Sequence, residues 1–168
     1  MGIVIYIIEA IVFIVIIIFV IGLLLPKQRI ETRETVYEVS PKEVFDIVTN
    51  NNDWKYRSDL KNLKIVEINN NVEEWEEISK DDNIIRFKTR EKRPYSYYSF
   101  DMESKVMKGF WTAEFKELEN NNTLFIATEY IEMKNPFLRV LSYLFFDIGK
   151  YMETYQEDLG KRIKLCDR

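Results

Sequence analysis

GFWTAEFKELENNNTLFIATEYIEM, residues 109–133, reads as two strands joined by a polar turn. Residues 108–118 and 123–133 carry strand patterns, and Glu119–Asn122 supplies turn residues between them. Asn135-Pro136 follows at once and suits a helix start, Asn135 as cap and Pro136 in the first turn. Phe137, Val140, Leu141, Leu144, Ile148, Met152, Tyr155, Leu159 and Ile163 then recur at three- and four-residue spacing. One long helix to about Leu165 is predicted, its stripe lying against a sheet along the whole length.

Working back from this stretch, Ile30–Val39 is a predicted strand. Ser40-Pro41 then opens a helix, with Glu43 in capping-box spacing and Val44, Phe45, Ile47 and Val48 on its apolar side. Asn50–Asp53 breaks it, and a short second helix is expected near Trp54–Leu60. Strand patterns follow at 63–68, 72–79, 84–90 and 95–104, with turn signals such as Asn69-Asn70-Asn71 and Asp81-Asp82-Asn83 between them. No crossover helix separates these strands, so the sheet is expected to be antiparallel and the class α+β.

The N-terminal run GIVIYIIEAIVFIVIIIFVIGLLL, residues 2–25, holds one ionisable side chain, Glu9, and ends at Pro26. As a helix it would reach about 36 Å, enough to cross a hydrocarbon core of about 30 Å. A cleaved signal peptide would need a basic start, a shorter apolar stretch and a small-residue cleavage site, and none is present. Residues 1–26 are therefore expected to be a transmembrane anchor and 27–168 a single domain. Lys27, Arg29 and Arg33 follow the run, and no basic residue precedes it. The positive-inside bias then predicts a single-pass protein of the cell membrane, N-terminus outside and domain cytoplasmic. Glu9 has two readings, a protonated carboxyl lifted toward the interface or a helix–helix contact.

All 24 Lys and Arg, and every acidic residue but Glu9 among the 28 Asp and Glu, lie after this run, with the signs interspersed. No basic stripe exists, so nucleic acid is not an expected partner. The chain has one cysteine, Cys166, and no histidine. An intramolecular disulfide, a multi-Cys/His zinc site and every His-dependent nucleophile or base are thereby excluded. No metal, cofactor or catalytic residue is assigned. Most of the aromatic residues, all three Trp included, lie in the domain, where they can fill a core or line a cavity for an apolar guest.

The segments VYEVSPKEVFDIVTNNNDWKYRSDLKNLKIVEI and GFWTAEFKELENNNTLFIATEYIEM, in this order of elements, resemble the START-like (SRPBCC) superfamily. More narrowly they resemble its polyketide cyclase/dehydrase and lipid-transport group. The matching features are Val44-Phe45 after the Pro-capped turn, Trp54 after the helix, Trp111 leading one strand and Thr123 leading the last. The resemblance covers residues 29–165. It implies a helix-grip fold: a curved antiparallel sheet of about six to seven strands around a long C-terminal helix, here preceded by one transmembrane helix. It also implies a hydrophobic cavity between sheet and helix.

By that resemblance Trp111, Ala113, Phe115, Phe125, Ala127 and Glu129 face the helix, joined by Tyr37 and Val39. Either Tyr98, Phe100 and Met102 or Tyr95, Tyr97 and Ser99 face in from 95–104, and Tyr98 and Phe100 are taken as candidates. Leu141, Leu144 and Ile148 are the helix side of the expected cavity. The small Ala113 and Ala127 leave volume that either belongs to the cavity or is filled by a helix residue such as Phe145 or Tyr151. Glu129 would bind a ligand head group or act as a base in an apolar cavity, or else lie in water near the strand end beside a basic residue. Arg86, Lys88 and Arg90 either meet anionic lipid heads or form a solvated face balanced by Glu73, Glu74, Glu76 and Glu77.

Residues 137–146, FLRVLSYLFF, are apolar almost all round. The sheet needs only one side, leaving Leu138, Tyr143 and Phe146 for the membrane or the cavity mouth, or for covering loops. The link from Pro26 to the first strand keeps the domain within about 20 Å of the bilayer. The expected function is binding of a hydrophobic small molecule or lipid, without chemistry, by a protein held to a lipid bilayer through residues 2–25. A cyclase/dehydrase-like enzyme without His, or a protein-interaction module of the same fold, are the alternatives.

Overall fold

The computed structural model describes residues 2–70 and 72–166. Helix α1 spans Gly2–Leu24, strand β1 Gln28–Tyr37 and helix α2 Pro41–Val48. The strands β2 Leu60–Asn69, β3 Val72–Ser79, β4 Ile84–Arg93, β5 Tyr97–Glu103, β6 Met107–Glu117 and β7 Thr123–Met133 follow. Two helices end the chain, α3 Pro136–Phe145 and α4 Ile148–Cys166. The strands form one seven-stranded sheet in the order β1-β7-β6-β5-β4-β3-β2, and every neighbouring pair is antiparallel. The curved sheet grips α4, as the helix-grip expectation requires.

Local chemistry explains the elements read correctly. Ser40 and Glu43 form a reciprocal capping box at the start of α2, with Pro41 in its first turn. Along β7 every second side chain from Thr123 to Ile131 is buried, the half-buried pattern of a strand with one face on the core. Tyr98 and Met102 are buried and Phe100 packs against the same core, which decides the parity of β5. On the outer face Arg86 pairs with Glu76, Lys88 with Glu74 and Arg90 with Asp101. That face is a solvated one whose charges are balanced across strands.

Two expectations fail. No helix forms over 54–60: its local backbone bonds close only isolated turns, Arg57 N to Trp54 O at 2.9 Å and Leu60 N to Arg57 O at 3.4 Å, and other backbone groups bind distant partners. Ser58 N donates to Asp158 Oδ2 at 2.7 Å, and Asp59 O accepts from Lys80 N at 3.1 Å. Nor is the C-terminal helix continuous, for the chain breaks at Phe146-Asp147. Asp147 Oδ1 accepts from Lys150 N at 2.9 Å and so restarts a helix. Arg29 Nη1 donates to the carbonyls of Ser142 at 2.5 Å and Phe146 at 2.9 Å, satisfying the freed end of α3.

The break separates two differently oriented stripes. Ile148, Met152, Leu159 and Ile163 of α4 are buried on the sheet. Phe137, Leu141 and Leu144 of α3 are exposed instead, while Arg139 and Ser142 are buried. Helix α3 packs against α1, whose other side chains are exposed, Glu9 among them. From Ile3 to Leu24 that helix is long and apolar enough to cross a membrane. Gln156 joins α4 to the edge strand: its amide donates to Arg33 O at 3.1 Å and accepts from Thr35 Oγ1 at 2.6 Å.

Candidate functional site

The sheet, the first half of α4 and the segment 49–59 enclose a cavity of about 70 Å³. Its sheet wall is aromatic. Trp111 stacks on Phe100 with centroids 4.9 Å apart, Trp75 meets Phe100 edge-on at 5.3 Å, and Tyr155 of α4 lies edge-on to Trp111 at 6.3 Å. Trp54 and Tyr56, from the segment 49–59, line it as well. Ala127, 1% exposed, leaves part of the open volume.

A polar cluster is set into this wall. Arg57 Nη1 donates to Glu77 Oε1 at 2.6 Å, and Trp75 Nε1 donates to the same oxygen at 3.1 Å. The second terminal nitrogen of Arg57, Nη2, lies 3.1 Å from Asp59 Oδ2, to which Tyr151 OH also donates at 3.1 Å. The guanidinium stands over the Tyr155 ring, 5.3 Å from its centre. Burial opposes the Arg57 charge, but Glu77, Tyr151 and Asp59 outweigh it and hold the group well above its ordinary range. Burial likewise pushes the phenols of Tyr56, Tyr151 and Tyr155 up, so they stay neutral. Asp59 Oδ1 and Arg57 Nε are buried with no hydrogen-bond partner among the described residues.

Glu129 is 5% exposed and lines the same cavity. No side chain among the described residues hydrogen-bonds it. Burial pushes its carboxyl up to about 7, against the pull of Arg57 and with a contribution from Glu77. One guanidinium thus faces the carboxyls of Glu77, Asp59 and Glu129, and only the third lacks a donor.

Of the residues anticipated for a cavity, Tyr98, Phe100, Trp111, Ala127 and Glu129 line it. Ala113, Phe115 and Phe125 are buried in the neighbouring core, where Phe115 packs on Phe45 of α2 at 5.3 Å. Tyr37 faces the open groove between β1 and α4, its hydroxyl donating to Gln156 O at 2.9 Å. Ile148 is buried at the start of α4 but does not border the cavity. Leu141 and Leu144 lie on α3, outside the sheet–α4 interface, 49% and 67% exposed. Phe145 is exposed and fills no gap at the alanines, whereas Tyr151 does line the cavity.

Arg57, Glu77 and Asp59 were not anticipated as cavity residues. Glu77 sits in an acidic strand that reads as solvated, yet two-residue alternation puts it on the face of the buried Trp75, the signal that would have found it. Among the described residues no group of three or more His, Cys, Asp or Glu is placed to hold a metal ion.

No protein-family model matches the chain, and no curated protein matches it by sequence. Solved structures do match in shape. The Zhui aromatase/cyclase from Streptomyces sp. R1128 has a TM-score of 0.72 at 7% identity, over 84% of this chain and 96% of that one. A START superfamily protein from Mycobacterium smegmatis has a TM-score of 0.64 at 13% identity, over 82% and 98% of the two chains. Norcoclaurine synthase from Thalictrum flavum, in complex with dopamine and hydroxybenzaldehyde, has a TM-score of 0.63 at 7% identity, over 81% and 86%. The chain therefore has the START-like helix-grip fold, preceded by one apolar N-terminal helix.

Proposed function

We propose that this protein binds a hydrophobic small molecule or lipid in the cavity between sheet and α4, while residues 1–26 anchor it in a membrane and 27–168 form the binding domain. The observation that carries this reading is Glu129, a buried carboxyl with no hydrogen-bond partner among the described residues, lining an aromatic cavity beside the Arg57 cluster. A mostly apolar pocket with a few convergent polar groups suits an apolar guest that carries one polar end. The basic residues Lys27, Arg29 and Arg33 support a cytoplasmic domain.

At about 70 Å³ the cavity is smaller than the roughly 300 Å³ of a drug-sized site. The guest's polar end occupies it, and the apolar remainder displaces Trp54 and Tyr56. Native mass spectrometry of the full chain, purified in detergent and followed by lipid extraction, tests this. Recovery of an apolar compound that Ala127→Leu abolishes, with folding retained, is the expected result. Absence of any such compound from the wild-type protein overturns the reading.

A second reading, an enzyme acting on the same guest, is favoured by one observation. Tyr151 OH lies 3.1 Å from Asp59 in the cavity that also holds Glu129, and a carboxyl near 7 can exchange a proton at neutral pH. Conversion of the recovered compound on incubation, lost in Glu129→Gln, would select it.

A further inference from the structure

We infer that α3 is an interfacial membrane helix, packed against the end of α1 and embedded beside it in the same lipid surface, so that the domain meets the bilayer at two places. The inference rests on reading α1 as a membrane span.

The polarity of α3 is inverted for a helix in water. Arg139 and Ser142 are buried, whereas Leu144 and Phe145 are 67% and 81% exposed, with Leu141 beside them. An exposed apolar face next to an apolar helix is one continuous surface, and lipid is the solvent that suits it.

The joint between the helices is built. The Phe19 and Phe137 rings lie 5.5 Å apart. Gly22 has no Cβ, and only that lets the Pro136 carbonyl approach the α1 backbone. Arg139 Nη1 donates to Gly22 O at 2.7 Å, filling a carbonyl in the last turn of α1 that the helix itself leaves open. In a membrane such a carbonyl must find a donor within the protein. Because α3 meets α1 between Phe19 and Gly22, it sits about one turn from the end of the span, the depth of an interfacial helix.

The positive groups lie where lipid head groups would. Lys27 is exposed directly after the span, and Arg29 caps the end of α3 while standing 4.7 Å over the Tyr143 ring. The helix break then leads straight to the cavity: Phe146 contacts Tyr151, a wall residue, with ring centroids 6.2 Å apart. An apolar guest moving from lipid to cavity would pass this point.

The full chain carrying Cys166→Ser, with single cysteines in place of Val15, Val36, Leu144 or Phe145, can be spin-labelled and reconstituted in phosphatidylcholine/phosphatidylglycerol vesicles. Accessibility to oxygen and to a water-soluble nickel complex is then compared. Val36, exposed near the far end of β1, is the aqueous reference, and Val15 the lipid one. The expected oxygen-to-nickel ratio at Leu144 and Phe145 is several-fold above that at Val36 and close to that at Val15. Water-like values at Leu144 and Phe145 alone overturn the placement of α3. Water-like values at Val15 as well overturn the span. Low access to both reagents with spin–spin broadening means that a second copy covers α3, which also overturns the inference.

Discussion

The Arg57 guanidinium and the Glu77 carboxylate lie 2.6 Å apart on the cavity wall, their side chains 14% and 6% exposed. One cation thus ties the segment leading into β2 to β3, the strand beside that edge of the sheet, and neutralises a carboxylate the interior could not otherwise hold. It also draws in Asp59 at 3.1 Å. The cavity owes its polar corner to this single side chain.

Arg57→Ala is therefore expected to destabilise the domain by about 3–5 kcal/mol, because it strands buried carboxylates without a counter-charge. Arg57→Met combined with Glu77→Gln removes both charges and recovers much of the loss. Denaturant unfolding of the two variants checks this, and equal instability in both would refute it.

Glu129 makes stability depend on pH. Its carboxyl is pushed from 4.5 to about 7. As pH rises the unfolded chain gives up this proton first, so ionising Glu129 in the native state costs stability increasingly between about 4.5 and 7. Glu129→Gln lacks that cost. Its advantage over wild type should grow through this window and level off above it, at about 3 kcal/mol at most. Unfolding of both proteins from pH 4 to 8.5 measures the difference, and a difference that does not change with pH would contradict it.

Asp158 holds the segment 49–59 closed by accepting from Ser58 N at 2.7 Å. Asp158→Ala leaves that amide without its partner and frees the cover of the cavity. Hydrogen exchange at residues 54–59 should accelerate at least tenfold while β6 and β7 keep their protection. Unchanged exchange in 54–59 would show that other contacts hold the segment.

Gly22 sets the distance between α1 and α3. A Cβ there meets the Pro136 backbone, so Gly22→Ala should push the helices apart and deprive Arg139 of its acceptor. Cysteines replacing Phe19 and Phe137, in a Cys166→Ser background, should cross-link readily in the parent and several-fold more slowly with Gly22→Ala. Ile21→Ala, at an exposed neighbour, should leave the cross-link intact.

Local signals were enough for most of the elements. The bounds of β3 and β7 agree with their alternation and flanking turns, and the Ser40–Glu43 box marks the start of α2. Five of the nineteen residues lining the cavity were readable too: Tyr98, Phe100, Trp111, Ala127 and Glu129 fall on inward positions of strands. Arg57 was not, because its segment lacks periodicity and is held by single bonds to Glu77, Asp59 and, through Ser58, to Asp158. Nor was the helix break, since a stripe at helical spacing runs through Phe146-Asp147 without interruption.

By itself, then, the sequence determined what depends on neighbours along the chain: an apolar run long enough to span a bilayer, strand alternation, helix caps and the antiparallel order they imply. Tertiary structure alone decided which apolar positions face inward on α3, where Arg29 takes up the carbonyls at its end, and what surrounds Glu129. The physical reason is that periodicity defines a face but not its partner. A helix bearing apolar residues on nearly every side can turn any of them to the core. Contacts between residues more than 100 positions apart, Arg139 to Gly22 and Arg29 to Ser142, made that choice.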